Sequence, residues 1–447
     1  MRLLKIFTFL PVFFILSEIG TLYAQNPLIK HMFTADPSAR VFKKRVYVFP
    51  SHDIPCGDGQ GFIGFCMADY HVFSSEDLSN WTDHGIILKQ NDVAWVDSTT
   101  YSMWAPDCIS RNGKYYFYFP AVSNENPRKR RIGVAVSDNP EGPYMPQPSF
   151  IKNVEGIDPN VFIDRDGKAY LYWSGFRSIR VARLNKNMLE LDSGPQIIEG
   201  LPEKFKEGPY LFERKGVYYM TFPYVPEKSE RLEYTIADNP MGPFHYGGVI
   251  MDESPTGCWT NHHSVIEYKG QWYLFYHHND LSPNFDKNRS IRVDSLFFNA
   301  DGTIRKVTPS LRGVGISPAN QKIQVDRYSS ISNEGAAIDY LDSLNRQMGW
   351  KIVFTQPNAW VGYNCVDFGK KSISEVNVML KSLSEGNLEI RLDHVNGALL
   401  ASIYLEPDSG WGIVSAEMEQ IISGIHNIYI VPDRAEYPVE VDWIQFE

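Results

Sequence analysis

Apolar positions along the chain fall into short runs broken by polar turns, and the runs repeat. Four phrases share one pattern, a glycine followed by aromatic and aliphatic residues: GKYYFYF from Gly113, GKAYLYW from Gly167, GVYYMTF from Gly216 and GQWYLFY from Gly270, at steps of 54, 49 and 54 residues. A fifth, weaker copy, KRVYVFP, starts at Lys44. Each copy is a turn leading into a β-branched and aromatic strand, usually after an earlier apolar run such as that at Val161 or Tyr210, so each predicts a hairpin. A second phrase, DNPEGPY from Asp138 and DNPMGPF from Asp238, recurs in the first and third intervals. Long helical periodicity is nearly absent. β units repeating at about 50 residues predict a propeller, in which small sheets pack as blades around an axis, and five copies predict five blades. A lone β-sandwich would lack this long period.

The repeat stops after Ser317-Pro318. Beyond it come new strand patterns at Val376–Leu380, Leu388–Asp393, Ile428–Val431 and Val441–Phe446. Their spacing predicts an all-β chain of two domains, a five-bladed β-propeller over 25–318 followed by a jelly-roll-like β-sandwich over 319–447.

Composition adds limits. The chain opens Met-Arg-Leu-Leu-Lys, runs apolar from Ile6 to Leu16 and reaches Leu22-Tyr23-Ala24, the layout of a cleaved secretory signal over 1–24. The expected location is therefore secreted or periplasmic. The apolar run is too short for a membrane span, no other run has span length, and no cysteine near Ala24 offers a lipid anchor. A net charge of −10 argues against nucleic acid as a partner and suits an enzyme acting on neutral sugars. The five cysteines, Cys56, Cys66, Cys108, Cys258 and Cys365, give neither a disulfide framework nor a zinc pattern. Buried thiols are the favoured reading, with a Cys56–Cys66 bridge as the alternative.

Three carboxylates stand apart. Asp36-Pro37, Asp158-Pro159 and Glu207-Gly208-Pro209 each place an acid before a proline at the mouth of an apolar strand. Proline pushes its preceding residue to extended geometry, so each acid is expected to be fixed, extended, at a strand's edge. Strand starts from different blades meet near a propeller's axis, where three acids could share one pocket. Glycoside hydrolysis needs such a set: one carboxylate to activate water, one carboxylic acid to protonate the leaving oxygen, and a third group to hold the pair in opposite states.

With Met103-Trp104-Ala105-Pro106-Asp107 and Asn261-His262-His263-Ser264, these motifs resemble the family 43 glycoside hydrolases over roughly residues 28–317. That resemblance implies a five-bladed enzyme acting with inversion on arabinose- and xylose-containing plant polysaccharides, of α-L-arabinofuranosidase or β-xylosidase type. It makes Asp36 the general base, Glu207 the general acid and Asp158 the residue that raises and orients the acid. His262 matches an axial histidine tied through water to a central calcium ion, the one cofactor implied. Arg289 matches an arginine held against the sugar, with Arg292 as its rival. Trp104 reads equally as a wall of the sugar site or as blade core, and His263, His277 and His278 read as packing or rim residues. Asp53 reads as a loop cap or a pocket residue. Two alternatives stay open, a retaining five-bladed fructan hydrolase and a carbohydrate-binding propeller without catalysis.

The C-terminal portion resembles a family 6 carbohydrate-binding module through Ala359–Tyr363, Val366–Gly369, Ser409-Gly410-Trp411 and Val441–Phe446. It departs from that pattern at Val439-Glu440-Val441, where an asparagine is usual, and at Gln324-Val325-Asp326, where Glu-x-Glu is usual. Trp411 is its candidate for stacking on sugar. The expected partner of the whole chain is a plant cell-wall polysaccharide or oligosaccharide.

Overall fold

Tight two-residue turns between strands organise the N-terminal part of the computed structural model. The structure describes residues 26–447 apart from 176–177, 204, 311–312, 326–327, 345–349, 371–372 and 435–437. The leader-like segment 1–24 and Asp326 lie outside the described residues. At Asn112-Gly113, Lys215-Gly216 and Lys269-Gly270 both turn residues have positive φ, the geometry that matches the twist of a two-residue hairpin. In the weak fifth copy Lys43 and Lys44, at φ 48 and 65, fill the same positions without glycine.

These hairpins build five sheets in chain order. The first holds β1 (Phe33–Phe42), β2 (Arg45–Asp53), β3 (Met67–Ser75) and β4 (Thr82–Lys89). The second holds β5 (Asp107–Arg111), β6 (Lys114–Ser123), β7 (Asn126–Ser137) and β8 (Met145–Pro146). The third holds β9 (Ile157–Ile163), β10 (Ala169–Gly175), β11 (Ser178–Leu184) and β12 (Gln196–Ile197). The fourth holds β13 (Tyr210–Arg214), β14 (Val217–Tyr224), β15 (Arg231–Ala237) and β16 (His245–Met251), and the fifth β17 (Ser264–Tyr268), β18 (Gln271–His278) and β19 (Ser290–Leu296). Within each sheet, consecutive strands pair antiparallel.

The first strand of each sheet neighbours the first strand of the next, through β1, β5, β9, β13 and β17 and back to β1, so the five sheets are blades of a closed ring. Side chains stitch these inner strands. Asp107 accepts from Ser38 (2.6 Å) and the Arg40 Nε (3.0 Å) of β1, and from the Val161 N–H (2.6 Å) of β9. Asn160 Oδ1 accepts the Leu211 N–H of β13 at 2.9 Å, and Ser264 Oγ of β17 accepts the Ala39 N–H at 2.9 Å. Inner strands are buried on both sides and have few ladder partners across blades, so these bonds satisfy polar groups that would otherwise be costly. The ring is latched at its start: Leu28 N–H donates to the Ile291 carbonyl (2.9 Å), and the Asn26 side chain both donates to the Val293 carbonyl (3.1 Å) and accepts the Val293 N–H (3.0 Å).

Large aromatics such as Trp173, Tyr118, Phe117 and Tyr276 are fully buried within and between the blades. Cys56 and Cys66 form a disulfide, against the favoured reading of buried thiols. The loop between β2 and β3 returns upon itself, with the Ile54 N–H bonded to the Cys66 carbonyl at 2.9 Å, and this brings the two cysteines together. Cys108 and Cys258 are buried thiols.

The C-terminal residues form two further sheets. One orders Ser317–Pro318, Val361–Asp367, Ile425–Pro432, Gly386–Leu392 and Leu399–Leu405; the other orders Ala336–Tyr340, Trp350–Phe354, Val439–Phe446, Glu375–Ser382 and Gly412–Glu417. Glu375–Ser382 alternates buried and half-buried positions, as a strand with one face on a core does. One apolar cluster, including Ile352, Phe354, Val378, Ile390, Ile430 and Phe446, joins the inner faces into a sandwich.

Candidate active site

A cavity of about 870 Å³ opens over the starts of the inner strands and is lined by Asp36, Asp158, Glu207, Trp104, His262 and Arg289, all six of the residues that the propeller sequence nominated. The local backbone departs from expectation. Asp36 and Asp158 are left-handed, at φ 48 and 54, not extended. In the third motif the positive φ falls on Gly208 (φ 65), so in each motif it is the residue immediately before the proline. The strand register slips at this point, between Ala35 and Ser38 opposite β2 and between Tyr172 and Ser174 opposite β9. These bulges turn the acids out of the ladder and into the cavity, at a backbone cost of about 1–3 kcal/mol for each non-glycine residue. A side chain at Gly208 would meet His262 at 2.7 Å, so glycine is required there twice over.

Asp36 is held as an anion. Arg289 donates from Nη1 to Oδ1 (2.8 Å) and from Nη2 to Oδ2 (3.3 Å), and Ser51 Oγ donates to Oδ2 (2.5 Å). Burial alone would raise this carboxyl, but the Arg289 guanidinium and the other groups around it hold it at about 2. His277 lies 3.5 Å from Asp36 Oδ1, yet the contact is not an ion pair. Burial keeps its imidazole neutral, and its Nδ1 accepts the Asp36 backbone N–H at 3.1 Å. Nε2 therefore carries the proton, with the Thr260 carbonyl at 3.1 Å. His277 thus supports the backbone of Asp36, a role beyond the packing expected of it.

Arg289 is itself fixed by Asp53, which receives Nε and Nη2 at 2.9 Å each and the Arg289 backbone N–H at 2.8 Å. Between Asp53 and Asp36 its guanidinium forks to two carboxylates, a geometry lysine cannot supply. Asp53 does not reach the cavity; it anchors the arginine that does. The rival Arg292 points elsewhere, with Nε and Nη2 on Asp280 at 3.0 and 2.8 Å.

Asp158 and Glu207 form the other half of the site. Burial and the neighbouring Glu207 and Asp36 push Asp158 well up; burial also raises Glu207, against the pull of Lys206, whose Nζ stands 3.8 Å from Oε2. Two such carboxyls titrate as a pair and retain a proton when isolated acids would have lost it. Asp158 Oδ2 accepts the Gly208 N–H (3.0 Å) and Ser174 Oγ (3.2 Å), which fix its carboxyl beside the Glu207–Gly208 peptide unit.

A fourth acid has no counterpart in the sequence reading. Glu230 is buried at the cavity wall, accepts the Asn261 N–H at 2.8 Å, leaves Oε1 without a partner, and is pushed well up by burial and by Glu207. It stands immediately before β15, and no proline follows it to mark it as the three motif acids are marked. The rim is aromatic and cationic: Arg130 lies 4.5 Å over the Trp104 ring and 5.0 Å over that of Phe62, and the two rings are 5.9 Å apart. Trp104 therefore walls the cavity while packing at the edge of the first two blades. Phe62 and Ile63, on the disulfide-closed loop, are 50 and 65 % exposed although apolar.

His262 is half-buried, desolvation lowers its tendency to take up a proton, and both ring nitrogens are shielded from solvent and lack a hydrogen-bond partner. His263 packs, with Nε2 2.6 Å from Thr221 Oγ1. His278 packs with Arg292. In the C-terminal sandwich Trp411 is 39 % exposed, whereas Val439 and Val441 are buried and Glu440 pairs with Lys351 at 3.0 Å where the module pattern usually has a sugar-binding asparagine.

Residues 24–304 match the glycosyl hydrolases family 43, and residues 331–447 the carbohydrate binding module family 6. A xylosidase/arabinosidase of Humicola insolens is 38 % identical over 62 % of this chain and 98 % of its own length. An arabinoxylan arabinofuranohydrolase of Paenibacillus polymyxa is 28 % identical over 91 % of this chain and 71 % of its own. Among solved structures, a β-xylosidase/α-arabinofuranosidase from a compost microbial metagenome, in a calcium-free complex with xylotriose, superposes with a TM-score of 0.58 at 38 % identity, over 64 % of this chain and 97 % of that one. With a closed five-bladed ring and an acid-lined axial cavity, the chain belongs to family 43 of the glycosyl hydrolases and carries a C-terminal module of family 6.

Proposed function

We propose that this protein removes xylose or arabinose units from arabinose- and xylose-containing plant cell-wall polysaccharides or their oligosaccharides, as a β-xylosidase or α-L-arabinofuranosidase. Family 43 enzymes are inverting glycoside hydrolases, which sets the reaction type. The observation that carries the assignment of roles is the electrostatic division of the cavity, an anionic Asp36 clamped by Arg289 against a proton-retaining Asp158–Glu207 pair.

In this reading Asp36 takes a proton from the water that attacks the anomeric carbon. Glu207 gives its proton to the departing glycosidic oxygen as the bond breaks. Asp158 keeps Glu207 protonated by charge repulsion and holds its following peptide unit in place. Arg289 offers its remaining surface to the sugar while keeping Asp36 ionised, and Phe62 and Trp104 supply aromatic faces for sugar rings. The partnerless, solvent-shielded nitrogens of His262 fit a hydrated calcium ion, which the imidazole would hold through water. Such an ion would add positive charge near the acids. Secretion is supported by the leader pattern over 1–24 and by the Cys56–Cys66 bridge, which belongs to an oxidising compartment.

The test is a panel of aryl glycosides followed by natural oligosaccharides, with the first-formed product read by NMR. Turnover of β-D-xyloside or α-L-arabinofuranoside with inverted anomer is expected. Turnover of fructan with retention, or binding of sugars without any turnover, would replace the proposal with one of the two alternatives.

A further inference from the structure

We propose that His52, Asp69 and His71, on the first blade, form a binding site for a divalent transition-metal ion of the zinc class, distinct from the axial histidine. Asp69 and His71 are two residues apart on β3 and so project from the same face of the sheet, and His52 lies beside them on β2, where Ser51 is paired with Tyr70. Each of the three offers one ligand atom, and these atoms lie within 4.8 Å of one another. Donors around a tetrahedral zinc ion, at about 2.0–2.1 Å each, stand roughly 3.4 Å apart, so side-chain adjustments suffice to close the set.

The bonding around the cluster is that of a site with its supports in place. His52 Nδ1 is 2.7 Å from Asp69 Oδ1. His71 Nδ1 is bonded to Asp83 Oδ1 at 3.1 Å, and this leaves Nε2 aimed at Asp69 Oδ1 across 3.9 Å, beyond hydrogen-bond reach. A carboxylate behind a metal-binding imidazole fixes its tautomer and direction, and Asp83 stands in that place, held in turn by His31 Nε2 at 3.1 Å. Among the described residues no lysine or arginine forms an ion pair with Asp69 or Asp83, although Lys89 is opposite Asp69 in register. The three ligand side chains are 10–19 % exposed, shielded yet open enough for a water to complete the coordination. Two imidazoles and one carboxylate select zinc, copper, nickel or cobalt over calcium and magnesium, which prefer all-oxygen sites. A bound ion would staple β2 to β3 at the base of the loop that carries Phe62 and Ile63.

The experiment uses the chelator-stripped full chain, titrated with zinc chloride in excess calcium by calorimetry. One zinc per chain is expected for the native protein and for His262→Ala, and none for His52→Ala/His71→Ala. Asp83→Asn should weaken binding by about 10–100-fold while leaving the stoichiometry intact. Should the double variant fail to fold, Asp69→Asn and the visible spectrum of cobalt(II) on the native protein decide instead: an intense, low-symmetry band supports the site, and the weak spectrum of hexa-aqua cobalt overturns it. Zinc binding that persists unchanged without His52 and His71, or disappears with His262 alone, would also overturn the proposal.

Discussion

Asp158 Oδ2 accepts the backbone N–H of Gly208 at 3.0 Å, so the third blade grips the peptide unit that follows the acid Glu207 on the fourth. The positions of the two acids are therefore not independent. Whatever orients one orients the other.

Replacing Glu207 with Gln should lower hydrolysis of natural xylo- or arabino-oligosaccharides by about 10²–10⁴-fold, the usual range for a general acid. Aryl glycosides with good leaving groups need little protonation and should lose far less. Steady-state kinetics on both substrate types check this, and equal losses on the two would remove Glu207 from the role.

Asp158→Asn should move the alkaline limb of the pH–rate profile to lower pH. Asp158 and Glu207 repel each other as anions, so in the proposed roles an ionised Asp158 favours the protonated form of Glu207; once it is gone, Glu207 gives up its proton at lower pH and the active state is lost earlier. A kcat/KM profile measures the shift, and an unmoved alkaline limb would leave Asp158 with an orienting role alone.

Arg289→Gln should move the acid limb upward. Asp36 is now held at about 2 against the upward push of burial, and without the guanidinium the largest influence opposing that push is gone. The single change also strands Asp53 as a buried unpaired charge, at a cost of about 3–5 kcal/mol. Arg289→Gln combined with Asp53→Asn relieves that cost, so the double variant should melt at a higher temperature than the single one while keeping the raised acid limb. In the native protein the stabilisation that Asp36 draws from these partners is complete above its ordinary value of 3.8 and is lost as pH falls through about 2. Thermal melts between pH 2 and 5 would show it.

A chain lacking the C-terminal sandwich should hydrolyse small aryl glycosides within about twofold of the full chain, because the apolar cores of the blades and of the sandwich are separate clusters. The cut belongs just before Ser317, which pairs with Val366 in the C-terminal sheet. Activity lost with the sandwich would mean that it buttresses the ring.

The blades were legible because each is a local sheet with its turn chemistry written beside it. Lys43-Lys44 shows the limit: positive φ without glycine made the first blade the faintest copy. The three motif acids were visible through their prolines, but their backbone was misjudged, since the steric preference of a pre-proline residue yielded to a bulge secured by Ser51, Ser174 and the Gly208 amide. The partnership of Asp53 with Arg289 was not legible. It joins residues 236 apart in sequence, and only ring closure brings the fifth blade against the first. Glu230 was hidden for the same reason, a single acid at the entry to a strand that becomes notable only when Glu207 and Asp158 gather around it.

The latch at Asn26 has a consequence for the order of events in synthesis. The segment that closes the ring is made before the first blade, yet its partners, Ile291 and Val293 on β19, are among the last residues of the propeller to emerge. Four blades can form hairpin by hairpin as they appear, but Arg289 meets Asp53 and Asp36, 236 and 253 residues before it, only once the fifth blade is being made. Closure is a contact of extreme sequence separation, which makes it a slow step by topology alone. The anionic half of the catalytic cavity thus comes into being last, at the moment when the two ends of the propeller meet.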